Sequence, residues 1–169
     1  MLESYNDFQK NYEGESDRSV AILASSFIEE ALGKNIRLKL VDAPEVSRLF
    51  EGYAPLATFA AKIDMSLALG LIPTHTHEDL RTIKRLRNIF AHKPDAVNFE
   101  TSQIKDICER FHSVKRSDGT AWEITGGRAK YLNAAWFCLL HMEAEAGRTT
   151  RLSLAKFRFE EVVESRRAD

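Results

Sequence analysis

Apolar residues recur three and four positions apart through most of the chain, the period of an amphipathic helix. The clearest run is Thr76 to Pro94, where Leu80, Ile83, Leu86 and Phe90, with Ile89 on the flank, define one apolar face. Thr74 or Thr76 can cap its first turn, and Glu78 and Asp79 put negative charge at that end. Arg81, Lys84, Arg85 and Arg87 load the second half with positive charge, and Pro94 stops the helix.

The neighbouring segments follow the same rule. Leu2, Tyr5, Phe8 and Tyr12 space as a short helix or arm, which either packs its aromatic side on the body or serves as a dimerisation arm. Ser16 caps a long helix to about Lys39, with Val20, Leu23, Phe27, Ile28, Ala31, Leu32 and Ile36 as its apolar stripe. Asp42-Ala43-Pro44 restarts a helix, and Glu51-Gly52-Tyr53-Ala54-Pro55 reads as a loop. Pro55 then starts a helix whose buried face is Leu56, Phe59, Ala60, Ile63, Leu67 and Ala68, and Gly70 ends it.

Beyond Pro94, Thr101 or Ser102 caps a helix to about Phe111. The polar stretch from His112 to Thr125, with a turn at 117–120, is the best candidate for a mobile loop, and Gly126-Gly127 reads as a flexible joint. Ala129 to Ala146 is a further helix. Leu152 to Val163 has a mixed period, compatible with a strand-like start or an amphipathic helix. Strand signals are weak throughout. The pattern predicts an all-α fold: one domain over 1–169, a bundle of six or seven helices, with an arm at 1–14, a core at 16–111 and C-terminal helices at 126–165.

Composition narrows the function classes. Lys plus Arg is 24 against 25 for Asp plus Glu, a net charge of −1, so no global basic field points to nucleic acid. Cys108 and Cys138 each sit in an apolar-periodic segment and read as buried thiols rather than a disulfide. The N-terminus lacks a signal-peptide pattern, and no apolar run approaches the roughly 20 residues of a membrane span, so a cytoplasmic protein is expected. His75-Thr76-His77 with Glu78 and Asp79 falls short of zinc-ligand spacing, and Gly126-Gly127-Arg128 lacks the flanks of a phosphate loop. No metal or cofactor is called for. Trp122 and Trp136 read as core or interface anchors.

Four blocks in order carry a family likeness. They are Ser16-Asp17-Arg18 with Ser25-Ser26-Phe27-Ile28-Glu29-Glu30, then Leu49 to Leu56, then Phe59, Lys62-Ile63 and Ala68 to Ile72, then Arg85 to His92. Together they resemble the mannitol operon repressor family over roughly residues 16 to 110. The resemblance implies an all-helical transcriptional regulator of a sugar-alcohol operon. No helix-turn-helix or basic arm is recognisable, which argues against direct DNA binding and for action through a protein partner or a homodimer. Its binding candidates are Glu51, Gly52 and Tyr53 from the second block and Arg81, Lys84 and Arg85 on the central helix.

Arg87-Asn88-Ile89-Phe90-Ala91-His92 also resembles the Arg-x4-6-His signature of the HEPN superfamily of helical domains. That likeness implies an alternative: a dimeric, metal-independent endoribonuclease acting on RNA. His92 would serve as general acid or base near neutral pH, Arg87 would stabilise phosphate charge, and Asn88 would orient the imidazole. Five residues of regular helix turn through about 500°, so Arg87 and His92 diverge by about 140° unless the last turn is distorted. In the structural alternative, Arg87 pairs with Glu29 or Glu30 of the long helix and His92 caps the helix end.

Overall fold

The computed structural model describes residues 4–92, 97–114 and 123–155. Leu2, Pro94, the 117–120 turn, Trp122 and the segment from 156 onward lie outside them. The described residues form seven α-helices and one 3-10 turn, with no strand among them. The helices are α1 (Tyr5–Lys10), α2 (Asp17–Lys39), α3 (Pro44–Arg48), α4 (Phe59–Ala68), α5 (Thr74–His92), α6 (Ser102–Cys108) and α7 (Gly127–Ala146), with the 3-10 turn at His112–Val114 between α6 and α7. None is long and apolar enough to cross a membrane.

The long helix forms as its pattern dictates. The Ser16 hydroxyl accepts the Ser19 amide at 3.1 Å, satisfying one of the bare donors of the first turn. Val20, Ala24, Ile28, Leu32 and Ile36 are buried along one side. The small residues Ala21 and Ala24 let α7 approach closely, and the buried Tyr131 hydroxyl donates to the Ala21 carbonyl at 2.8 Å. Helix α2 packs against α4, α5 and α7, and α5 is wedged between α2, α4 and α7. Phe90, Phe99, Phe111 and Tyr131 stack at the centre, with ring centroids 4.8 Å apart for Phe90–Phe99 and 5.0 Å for Phe99–Tyr131.

Several local expectations change. Helix α5 already begins at Thr74, because the Pro73 carbonyl accepts the His77 amide at 3.0 Å and proline needs no amide partner of its own. Thr76 is therefore a buried helical residue, and Glu78 and Asp79 sit in the second turn. Helix α4 starts at Phe59, capped by Thr58 rather than opened by Pro55. Leu56 stays in the loop and packs on Ile36 and Leu71, and Ala68 faces solvent. Leu23 and Phe27, expected in the buried stripe of α2, lie on its outer side.

The aromatic side of the N-terminal arm packs on the body. Phe8 and Tyr12 are buried, and the Tyr5 hydroxyl donates to the Ala129 carbonyl at 3.2 Å. Gly126-Gly127 is the reverse of a flexible joint. A Cβ on Gly127 would lie 2.3 Å from the Phe99 carbonyl oxygen, so only glycine lets α7 start this close to the 98–100 segment. Arg128 locks the same corner, donating to Asp17 at 3.0 Å and to the carbonyls of Glu15 and Tyr12 at 2.8 and 2.7 Å. The other oxygen of Asp17 accepts the Phe99 amide at 2.8 Å. After α7 the chain returns to the end of α2, where the Leu152 amide bonds the Lys39 carbonyl at 2.8 Å, with no regular element over 151–155.

Candidate functional site

With Leu80, Ile83, Leu86 and Phe90 turned into the core, α5 presents its other side outward. There Arg81, Thr82, Lys84, Arg85, Asn88, Ile89 and His92 line a shallow groove of about 630 Å³. Arg81 reaches Asp64 of α4 at 3.3 Å, and the same carboxylate oxygen meets the His77 Nε2 at 2.8 Å. The His77 hydrogen bond, helped by the Arg81 charge, holds the Asp64 carboxyl below its ordinary range.

Arg87 is half-buried and does not line this groove. Its Nη1 donates to the Asn88 Oδ1 at 3.2 Å. Because α5 stays α-helical through His92, the two side chains keep the separation of about 140° that a regular helix imposes. The structure therefore brings Asn88 beside each of them but does not bring Arg87 and His92 together. The expected partners of Arg87 are engaged elsewhere: Glu29 holds the Lys62 ammonium at 2.6 Å, and Glu30 holds Lys34 at 2.7 Å along its own helix.

Glu78 and Asp79 do work that the sequence did not reveal. Asp79 is 4% exposed, and its two carboxylate oxygens accept the amides of His112 and Ser113 at 2.8 and 3.1 Å, fixing the 3-10 turn. Burial pushes its carboxyl above the ordinary value, against the pull of those amides. Glu78 meets the His112 ring at 2.6 Å. The only hint was positional, since Thr76 and Asp79 continue the apolar face of α5 back through its first turns. His77 and His112 thus serve different carboxylates, and no three such groups among the described residues converge as a metal site.

Glu51, Gly52 and Tyr53 form the turn between α3 and α4, with Gly52 at a φ of 56° and Tyr53 fully exposed. None of them lines the α5 groove. A different surface, which the sequence reading placed in the core, opens between α1, α2 and α7. Phe27 and Leu23, 55% and 42% exposed, edge a groove of about 600 Å³ floored by Phe8, Tyr12, Ala31 and Leu139, with Glu30 and Lys34 on its rim.

A family model described as mannitol repressor matches residues 34–164, more than three quarters of the chain. The chain belongs to the mannitol repressor family. No curated protein and no solved structure matches it. The mannitol repressor match contains the Tyr53 turn, the whole of α5 and the whole of α7. It also runs well past Phe111, where the sequence resemblance ended, and begins after the Ser16–Glu30 block. Helix α7 thus lies within the span that the mannitol repressor model matches, and the Phe27 groove straddles the start of that span.

Proposed function

We propose that this member of the mannitol repressor family is a cytoplasmic transcriptional regulator that acts through protein association, its first partner being a second copy of itself. The observation that carries this reading is the groove of Phe27 and Leu23 on α2. A phenylalanine side chain offers 150–250 Å² for burial, so covering the exposed half of Phe27 stabilises a complex by about 2–3 kcal/mol per copy. The rim is self-complementary. Glu30 and Lys34 stand one turn apart with opposite charge, and a two-fold axis between two α2 helices would set each against its opposite on the other copy.

Tyr53 and the basic side of α5 then remain for other partners. The endoribonuclease alternative requires Arg87, Asn88 and His92 in one cleft. Within one chain α5 holds Arg87 and His92 apart, which favours the regulator. Molecular mass measured across concentration tests the proposal. Wild type is expected to dimerise, and Phe27→Ser with Leu23→Ser to remain monomeric at unchanged helicity. A monomeric wild type overturns self-association. Cleavage of RNA in EDTA by wild type, lost in an equally stable His92→Ala, would replace the regulator with the nuclease.

A further inference from the structure

The outward face of α5 points to a second surface, independent of the Phe27 groove. Positions 81, 85, 88 and 92 are spaced four, three and four apart. That spacing draws a nearly straight line along a helix and is the seam that a second helix covers when two pack lengthwise. The line covers about 16 Å, three turns. Every polar group along it offers a donor. Arg81, Lys84 and Arg85 are cations, and Lys84 and Arg85 have no carboxylate partner among the described residues. Asn88, which lines the groove, has its oxygen occupied by Arg87, and its NH₂ is left to donate. His92 is exposed at the end. Ile89 and the Thr82 methyl supply an apolar strip between the charges.

We propose that this face docks an acidic helical segment of a protein partner, with carboxylates at matching heptad spacing and an aliphatic residue over Ile89. A nucleic acid backbone would also present acceptors. It offers nothing apolar to Ile89, and the chain as a whole carries a net charge of −1, which weakens a polyanion's approach beyond this one stripe.

The test is fluorescence anisotropy of a designed helical peptide with Glu at four-three-four spacing and Leu beside the stripe. A peptide of the same composition, with its Glu residues spread around the helix, is the control. Single-stranded RNA and duplex DNA of equal charge are measured in parallel. The in-register peptide is expected to bind about tenfold tighter than the control. Lys84→Glu with Arg85→Glu should weaken it by about tenfold at an unchanged melting temperature, and added salt should do the same. Equal binding of both peptides, or tighter binding of either nucleic acid, overturns the proposal. Phe27→Ser is expected to leave peptide binding intact, so failure of the dimer reading and failure of this one are separable.

Discussion

Replacing Gly127 by alanine should reverse the usual sign of that substitution in a helix. Away from close contacts, alanine gains roughly 0.5–1 kcal/mol over glycine in a helix through backbone entropy. At Gly127 the new Cβ would sit 2.3 Å from the Phe99 carbonyl oxygen, 3.2 Å from its carbon and 3.3 Å from its Cβ. Relief needs a shift of about an ångström in backbone that cannot yield cheaply. The Phe99 amide is held by Asp17, the Phe99 ring lies between Phe90 and Tyr131, and the Gly127 amide donates to Glu100. Overpacking of this kind costs about 1–3 kcal/mol, and weakening one or two of those hydrogen bonds adds about 1 kcal/mol. The expected loss is about 2–4 kcal/mol, or roughly 5–15 °C in Tm for a chain of this length. Gly33→Ala is the internal comparison. Its Cβ would meet the guanidinium of Arg37 at 3.2 Å, a long side chain that can swing aside, so the ordinary gain of helix entropy should survive. Urea unfolding followed by circular dichroism gives both numbers. A Gly127→Ala variant as stable as wild type would refute the close docking of α7 on the 98–100 segment.

Arg128→Met keeps the aliphatic bulk but removes three hydrogen bonds and leaves Asp17 facing Phe99 alone; a loss of about 2 kcal/mol in urea unfolding is expected. Asp79→Asn should alter how stability follows pH. The folded-state pKa of Asp79 lies above its ordinary value of 3.8 because burial penalises the charge. Its contribution is therefore fully present below about pH 4 and is lost as pH rises through the raised value. The Tm difference between wild type and Asp79→Asn should shrink over that window in a stepped-pH melt, and a constant difference would contradict it. Burial pushes the Cys108 thiol up to about 12 and raises that of Cys138 as well, so neither should react with a thiol reagent until the protein unfolds.

How much was legible in the sequence depended on what each feature needed. Helical period, caps and the apolar face of α5 are local properties, and Leu80, Ile83, Leu86 and Phe90 were correctly assigned to the core from spacing alone. The buried thiols followed from the same period. What spacing cannot say is which of two apolar sides a wide stripe turns inward. Phe27 and Ile28 are neighbours on α2, yet only Ile28 reaches the core. Partners across the fold were equally hidden. Glu29 chose Lys62 rather than an arginine, and Asp79 serves backbone amides 33 and 34 residues away. Gly126-Gly127 looked flexible because glycine permits freedom; here it permits contact. At the Arg87–His92 stretch α5 is α-helical to His92, so the angle that the spacing implies for a helix applies there.

The most direct test of the proposed association through α2 is a charge exchange across the two-fold axis that it requires. Glu30→Lys places four cations on the shared rim of a dimer, and Lys34→Glu places four carboxylates there. Each variant alone should sediment as a monomer, and an equimolar mixture of the two should form a heterodimer, because opposite charges face one another again. Single variants that dimerise as wild type does, or a mixture that stays monomeric, would contradict the account.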